Sequence, residues 1–259
     1  MKIKDIVRAL ERFAPLPLQE SYDNAGLQLG LTEAEATGAL LCLDVTEAVI
    51  DEAIASGLNL IVSHHPLLFK SVKCISDRTY TERCILKAIK NDIIIYSAHT
   101  NLDNAPGGVN FKIAEKIGLT DLHFLADDRN GERGSGLIGI LPDLETETDF
   151  LRRIKKTFEV GCIKHNKMTG RQIRKVAVCG GAGAFLIADA IAASADVFVT
   201  GEIRYHEYFG HERDILLAEI GHYESEQYTK QLLAEILHGQ FPDLKIEQTK
   251  IDTNPIKYL

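Results

Sequence analysis

GALLCLDVTEAVIDEAIASGLNLIVSHHP, residues 38–66, decides the fold. Residues 38–45 are apolar apart from Asp44 and read as a buried strand. TEAVIDEAIASG, 46–57, reads as a helix stopped by glycine, and LNLIVS, 58–63, as the next strand. Near-continuous apolar strands separated by a helix indicate a parallel sheet covered on both faces. The second strand runs into His64, His65 and Pro66. Two imidazoles side by side at the end of a buried strand are unusual for a core. On a regular strand they point to opposite faces.

The alternation continues in both directions. Ile3, Ile6, Val7, Leu10 and Phe13 have helical spacing ended by Pro15, and SYDNAGLQLG (21–30) is turn-rich. A helix is predicted over 79–90, a strand over 92–98 and a helix over 107–118. DLHFLADDRNGERGS (121–135) is polar and turn-rich and places a domain boundary near 125. Beyond it come a strand at 136–142, a helix at 146–158, a short strand near 160–164, a strand at 175–181 and a helix at 184–194. Strands at 196–201 and 214–221 and a helix at 223–238 complete the series. The expected class is α/β, with two related α/β domains and mostly parallel sheets, 1–125 and 126–221. The halves echo each other, with His99-x-x-x-Asp103 after one late strand and His222-x-x-x-Glu226 after its counterpart.

The chain has 259 residues, 45% hydrophobic and 25% charged, an ordinary globular composition with room for two modest domains. A net charge of −8 argues against a nucleic-acid-binding surface. The five cysteines have no CxxC spacing and do not form a disulfide framework. No run approaches the ~18 apolar residues of a membrane span, and MKIKDIVRALERFAP reads as an amphipathic helix, not a signal peptide. The expectation is a soluble protein of a reducing cytoplasm.

The polar clusters follow the C-terminal ends of predicted strands, where open parallel sheets bind their ligands. His64, His65, His99, Asp103, Glu202, His206, His222 and Glu226 converge if the two halves face each other. Imidazole with carboxylate suits zinc, manganese, iron or cobalt, and the absence of cysteine from the clusters disfavours a structural thiolate site. His222 and Glu226 stand four apart, on one helix face, whereas Asp103 reads as a loop residue before Pro106. So many N and O donors suit a pair of ions about 3.5–4 Å apart, with His64 and His65 each on its own ion. His99 and His206 are open between orienting group, substrate contact and general acid–base, and Glu202 is a further proton carrier.

Other features have plainer readings. His123, His165, His211 and His238 lack a strand-end partner and read as structural or exposed. CGGAGAF (179–185) reads as a tight strand-to-helix turn, with an anion cradle as the alternative. KHNKMTGRQIRK (164–175) reads as a solvated hairpin or loop, with phosphate contact as the alternative. Cys42 and Cys179 read as core fillers at matching positions.

SYDNAGLQLG, IVSHHPLLF, YSAHTNLDNAPGGVN, VAVCGGAG, FVTGEIRYHEY and GHYESE together resemble the GTP cyclohydrolase 1 type 2 homologue family, the Nif-three-like dinuclear metal-binding proteins. The motifs come in the family's order over nearly the whole chain. The resemblance implies the Nif-three-like fold, with the segment from about 222 to 259 returning to the first domain. It implies two divalent ions per subunit (Zn, Fe, Mn or Co) on His64, His65, Asp103, His222 and Glu226, leaving His99 and His206 as site-lining. It also implies a homohexamer built as a trimer of dimers. Two function classes follow: a metal-dependent hydrolase of a nucleotide-like or phosphorylated small molecule, with His99, His206 or Glu202 carrying protons, or a non-catalytic metal-binding chaperone, buffer or scaffold. Neither class needs a membrane or a nucleic-acid partner.

Overall fold

The computed structural model describes residues 1–127 and 133–259. Among them eleven strands run in chain order: β1 (Gly26–Leu29), β2 (Ala39–Cys42), β3 (Leu60–Ser63), β4 (Ile94–Ser97), β5 (Thr120–Asp127), β6 (Gly134–Thr146), β7 (Lys164–His165), β8 (Gln172–Cys179), β9 (Val197–Thr200), β10 (Leu216–Glu219) and β11 (Ile246–Gln248). The chain forms two compact units, one of Met1–Ala105 with Thr229–Pro255, the other of Pro106–Tyr228 with Ile256–Leu259.

The first unit holds the sheet β1-β4-β3-β2-β11. β4, β3, β2 and β11 are parallel, and β1 is an antiparallel edge strand. β2, β3 and β4 are buried along their whole length, as strands covered on both faces must be. The crossover helices Glu47–Ser56 and Tyr80–Lys90 are each capped by a threonine hydroxyl, Thr46 on Val49 N and Thr79 on Glu82 N. They bury Val49, Ile50, Cys84 and Ile85 against Leu40, Cys42, Ile61 and Ile95 of the sheet. Helices Ile3–Phe13 and Thr229–Gln240 pack on one another and against the sheet.

The second unit holds the sheet β5-β6-β8-β9-β10-β7. Its β8-β9-β10 segment is parallel, while the β5-β6-β8 meander and β7 are antiparallel. Parallel strands thus dominate the first sheet and form the middle of the second. Helices Ala184–Leu186 (a 3₁₀ turn) and Ile187–Ala192 lie over Ala177, Cys179, Phe198 and Leu217. Each unit therefore repeats the same three-strand parallel order, β2-β3-β4 and β8-β9-β10.

Several boundaries differ from the sequence expectation. The division falls at Ala105/Pro106 and not near 125, because helix Val109–Ile117 packs on β6 and β8 and its Asn110 side chain accepts from Gly180 N. Residues 120–127 form a strand that is exposed or half-buried, not turns, and the part of that stretch at 128–132 lies outside the described residues. The returning segment is Thr229–Pro255, shorter than 222–259, and the helix expected at 223–238 is two helices, His222–Glu226 and Thr229–Gln240. Between them Gln227 and Tyr228 bond the carbonyls of Phe158 and Thr157, which holds this stretch to the second unit.

Candidate metal centre

In the first unit, register sets the level of the site. Cys42 lies opposite Ser63 and Ser63 opposite Ser97, so Asp44, His64, His65 and His99 all follow the same ends of adjacent parallel strands. β3 ends at Ser63, and beyond it strand alternation no longer separates the two histidines. Their ring centroids are 4.9 Å apart, and His99 packs edge-on at 5.3 and 5.5 Å. One ligand atom from each of the three lies within 4.8 Å of the others, a group able to hold a metal ion. Asp103 enters from a one-turn helix, Thr100–Asp103, and not from a loop as expected, and its Oδ1 lies 3.6 Å from His64 Nε2. Both atoms are shielded from solvent.

Each imidazole is oriented through its Nδ1. His64 Nδ1 meets the carbonyl of Ala98 at 2.8 Å, His65 Nδ1 meets Asp44 Oδ1 at 2.8 Å, and His99 Nδ1 meets Asp23 Oδ1 at 2.7 Å. An acceptor at Nδ1 assigns the proton there and makes Nε2 the unprotonated nitrogen, the type that ligates an ion. Burial acts to raise the Asp23 carboxyl, but hydrogen bonds from His99 and Thr100 and the charge of His99 outweigh it and hold the group at about 2. Asp44 is lowered too, its burial outweighed by His65 and Thr253.

The second unit repeats the arrangement. Cys179, Thr200 and Glu219 are level across β8, β9 and β10, so Gly181, Glu202 and His222 follow the strand ends. His222 opens the helix His222–Glu226. Its Nδ1 meets Glu202 Oε1 at 2.7 Å and its Nε2 lies 3.2 Å from Glu226 Oε2. Gly181 has a φ of +60°, and a Cβ there would stand 2.5 Å from Glu226 Oε1 and 3.3 Å from His222 Nε2. The glycine turn makes room for this pair. It is not an anion cradle, because the N–H groups of Gly180, Gly181 and Gly183 donate to Asn110, Ser225 and Thr200.

The donor pairs fit an ion. Two donors on one tetrahedral ion, each about 2.1 Å away, sit roughly 3.4 Å apart. The pairs His64–Asp103 at 3.6 Å and His222–Glu226 at 3.2 Å bracket that value. Of the other sequence candidates, Glu202 is committed to His222, and His206 is exposed, its ring against Tyr205 and Phe209. His123 is an exposed partner of Asp121, and Cys42 and Cys179 are buried fillers. The 164–175 stretch is structural: Lys164 bonds Glu219, Asn166 bridges Ile215 O and Leu217 N, and Arg171 bonds the carbonyls of Arg213 and Asp214. Sequence reading missed Asp23, Asp44 and the role of Gly181. Asp44 carried a usable signal, an acid two residues past Cys42 at a strand end. Asp23, in a turn, carried none beyond the motif around it.

Residues 1–255 match the family model described as Duf34/NIF3 (NGG1p interacting factor 3). A Clostridium acetobutylicum protein named GTP cyclohydrolase 1 type 2 homolog is 33% identical over 243 residues, covering 92% of this chain and 90% of its own length. A Lactococcus lactis protein of the same name is 32% identical, with 98% of each covered. Among solved structures, a hypothetical protein of Staphylococcus aureus aligns with a TM-score of 0.92 at 29% identity, over 100% of this chain and 99% of that one. The reduced HcgD of Methanocaldococcus jannaschii aligns with a TM-score of 0.80 at 29% identity, over 97% and 98%.

Proposed function

The chain belongs to the Duf34/NIF3 family, and on that premise we propose that it binds two divalent ions and is a metal-dependent hydrolase of a nucleotide-like or phosphorylated small molecule. The ligands are His64, His65 and Asp103 together with His222 and Glu226. Zinc, iron, manganese and cobalt all suit this N/O set. The observation that carries the reading is the locking of four imidazoles through Nδ1, on a carbonyl at His64 and on a carboxylate at His65, His99 and His222. Such acceptors orient ligating histidines and raise their basicity. A bound divalent ion supplies a water acidified towards neutrality. His99, presented by Asp23, is the proton carrier beside His64 and His65, Glu202 orients His222, and His206 is assigned to substrate contact. The name shared by the curated relatives favours a purine nucleotide among possible substrates. The protein works in the cytoplasm as a homohexamer, a trimer of dimers, and its five free cysteines suit a reducing compartment.

The competing reading, a metal-binding chaperone, buffer or scaffold without catalysis, is favoured by one observation. Asp23, Asp44 and Glu202 are all committed to orienting imidazoles, which takes three carboxylates out of proton transfer. Elemental analysis of the purified chain, reloaded with Mn, Fe, Co or Zn and offered nucleotides and phosphoesters, separates the readings. The expected result is two ions per chain, loss of metal in Glu226→Ala and His65→Ala, and turnover by at least one metal form. A chain that takes up no metal sinks the proposal. Full metal loading with no turnover leaves the non-catalytic reading.

A further inference from the structure

We infer that the C-terminal segment is part of the metal centre, because Thr253 fixes Asp44 and Asp44 fixes the imidazole of His65. The inference rests on the metal-binding reading above and adds to it a positioning residue more than two hundred positions from Asp44 in sequence.

Topology brings the segment there. β11 runs parallel to β2 with Gln248 opposite Leu41, so the chain leaves β11 at the same end of the sheet at which Asp44 leaves β2. Thr249 N donates to Leu41 O at 2.8 Å, the Thr249 hydroxyl bonds Glu52, and Lys250 N donates to Glu52 Oε1 at 2.9 Å. Ile251 packs against the core beneath. Laid down this way, the chain delivers the Thr253 hydroxyl to Asp44 Oδ2 at 2.9 Å, while Asp44 Oδ1 holds His65 Nδ1 at 2.8 Å.

The brace matters because this carboxylate is only partly shielded. The side chains of His65 and Asp44 are 23% and 32% exposed, so water competes for the hydrogen bond that sets the ring. A carboxylate held at one oxygen still turns about its last torsion, which is broad. Held at both oxygens, it keeps the Nδ1 acceptor in place and the Nε2 lone pair aimed. The same device occurs a second time: the Thr100 hydroxyl bonds Asp23 Oδ2, and Asp23 Oδ1 holds His99 Nδ1. There the threonine adjoins the histidine in sequence. At His65 it comes from the end of the chain.

The test is competition titration of the full-length metal-free protein with Zn²⁺ against a chromophoric chelator, with the Co²⁺ absorption spectrum as a second readout. Asp44→Asn is expected to weaken zinc about 10–100-fold and Thr253→Val about three- to tenfold. Thr253→Ser, which keeps the hydroxyl, restores wild-type affinity and spectrum. Thr249→Val is the control for mere loosening of the segment, since it removes a hydroxyl bond of the same strand exit that touches no imidazole partner. It lowers the melting temperature and weakens zinc less than Thr253→Val does, because the Thr249 N–Leu41 O and Lys250 N–Glu52 bonds still hold the strand exit. Thr253→Val binding zinc as tightly as wild type overturns the inference, as do equal losses in Thr253→Val and Thr249→Val. Failure of the wild type to bind zinc is a different outcome and removes the metal-binding reading itself.

Discussion

Gly181→Ala separates the need for room around Glu226 from the need for a left-handed backbone. The added Cβ would meet Glu226 Oε1 at 2.5 Å, and ordinary contact begins near 3.4 Å, so the carboxylate must retreat by roughly 0.9 Å. For folding this is a mild insult, because the atom in the way ends a side chain. For an ion it is large, since ligand distances tolerate only about 0.2 Å. Alanine at a φ of +60° adds strain of about 1–2 kcal/mol. Gly118→Ala supplies the reference: it has a φ of +82° and nothing within 4 Å of the new Cβ, hence strain without obstruction. Both variants are expected to melt lower by a similar margin, about 2–4 °C per kcal/mol. Only Gly181→Ala should lose zinc affinity, by at least tenfold, or about 1.4 kcal/mol. Chelator competition at fixed pH with melting in EDTA measures the two effects apart. Equal zinc affinity in the two variants refutes the argument that the missing Cβ makes room for the ligand.

Asp23→Asn flattens the acid limb of stability. The folded carboxyl sits at about 2 against an ordinary 3.8, so it contributes about 2 kcal/mol that is fully present above pH 4 and lost as pH falls through 2. Urea melts of wild type and variant should therefore differ at pH 6 and converge near pH 2, and a constant difference refutes the assignment. Thr200→Val, at a fully buried position, removes the acceptor of Gly183 N and is expected to cost about 1–3 kcal/mol, with a loss below about 0.5 kcal/mol counting against the turn as described. Asn166→Ala leaves Ile215 O and Leu217 N of the β10 edge without their side-chain partner and should cost about 2–4 kcal/mol in urea denaturation, whereas a near-neutral variant shows that β7 alone closes that edge.

What could be read from the chain, and what could not, follows from burial. β2, β3, β4, β9 and β10 are four-residue strands buried throughout, so their apolar runs stand out between polar helices. The strands that escaped are edge pieces. β1 alternates buried and exposed residues between two glycines of positive φ, β11 has three residues, and β5 is exposed or half-buried along its length. An edge strand that is exposed or half-buried keeps the polar composition of a turn, which is why 121–127 read as part of a boundary while the division at Pro106 passed unseen. The same contrast governs the site. His64, His65, His99, Asp103, His222 and Glu226 follow buried strands, so topology alone groups them by unit. The groups that orient them arrive by other routes: Asp23 from a turn before β1, Thr253 from beyond β11, and Gly181 through an atom it lacks. A carboxylate at Nδ1 leaves no periodic mark, because what it must satisfy is one hydrogen-bond direction and no packing repeat. Candidate ligands are therefore legible where the fold delivers them, as is Glu202 at a strand end, whereas Asp23 and Thr253 become legible only once the chain on either side of β1 and β11 is placed.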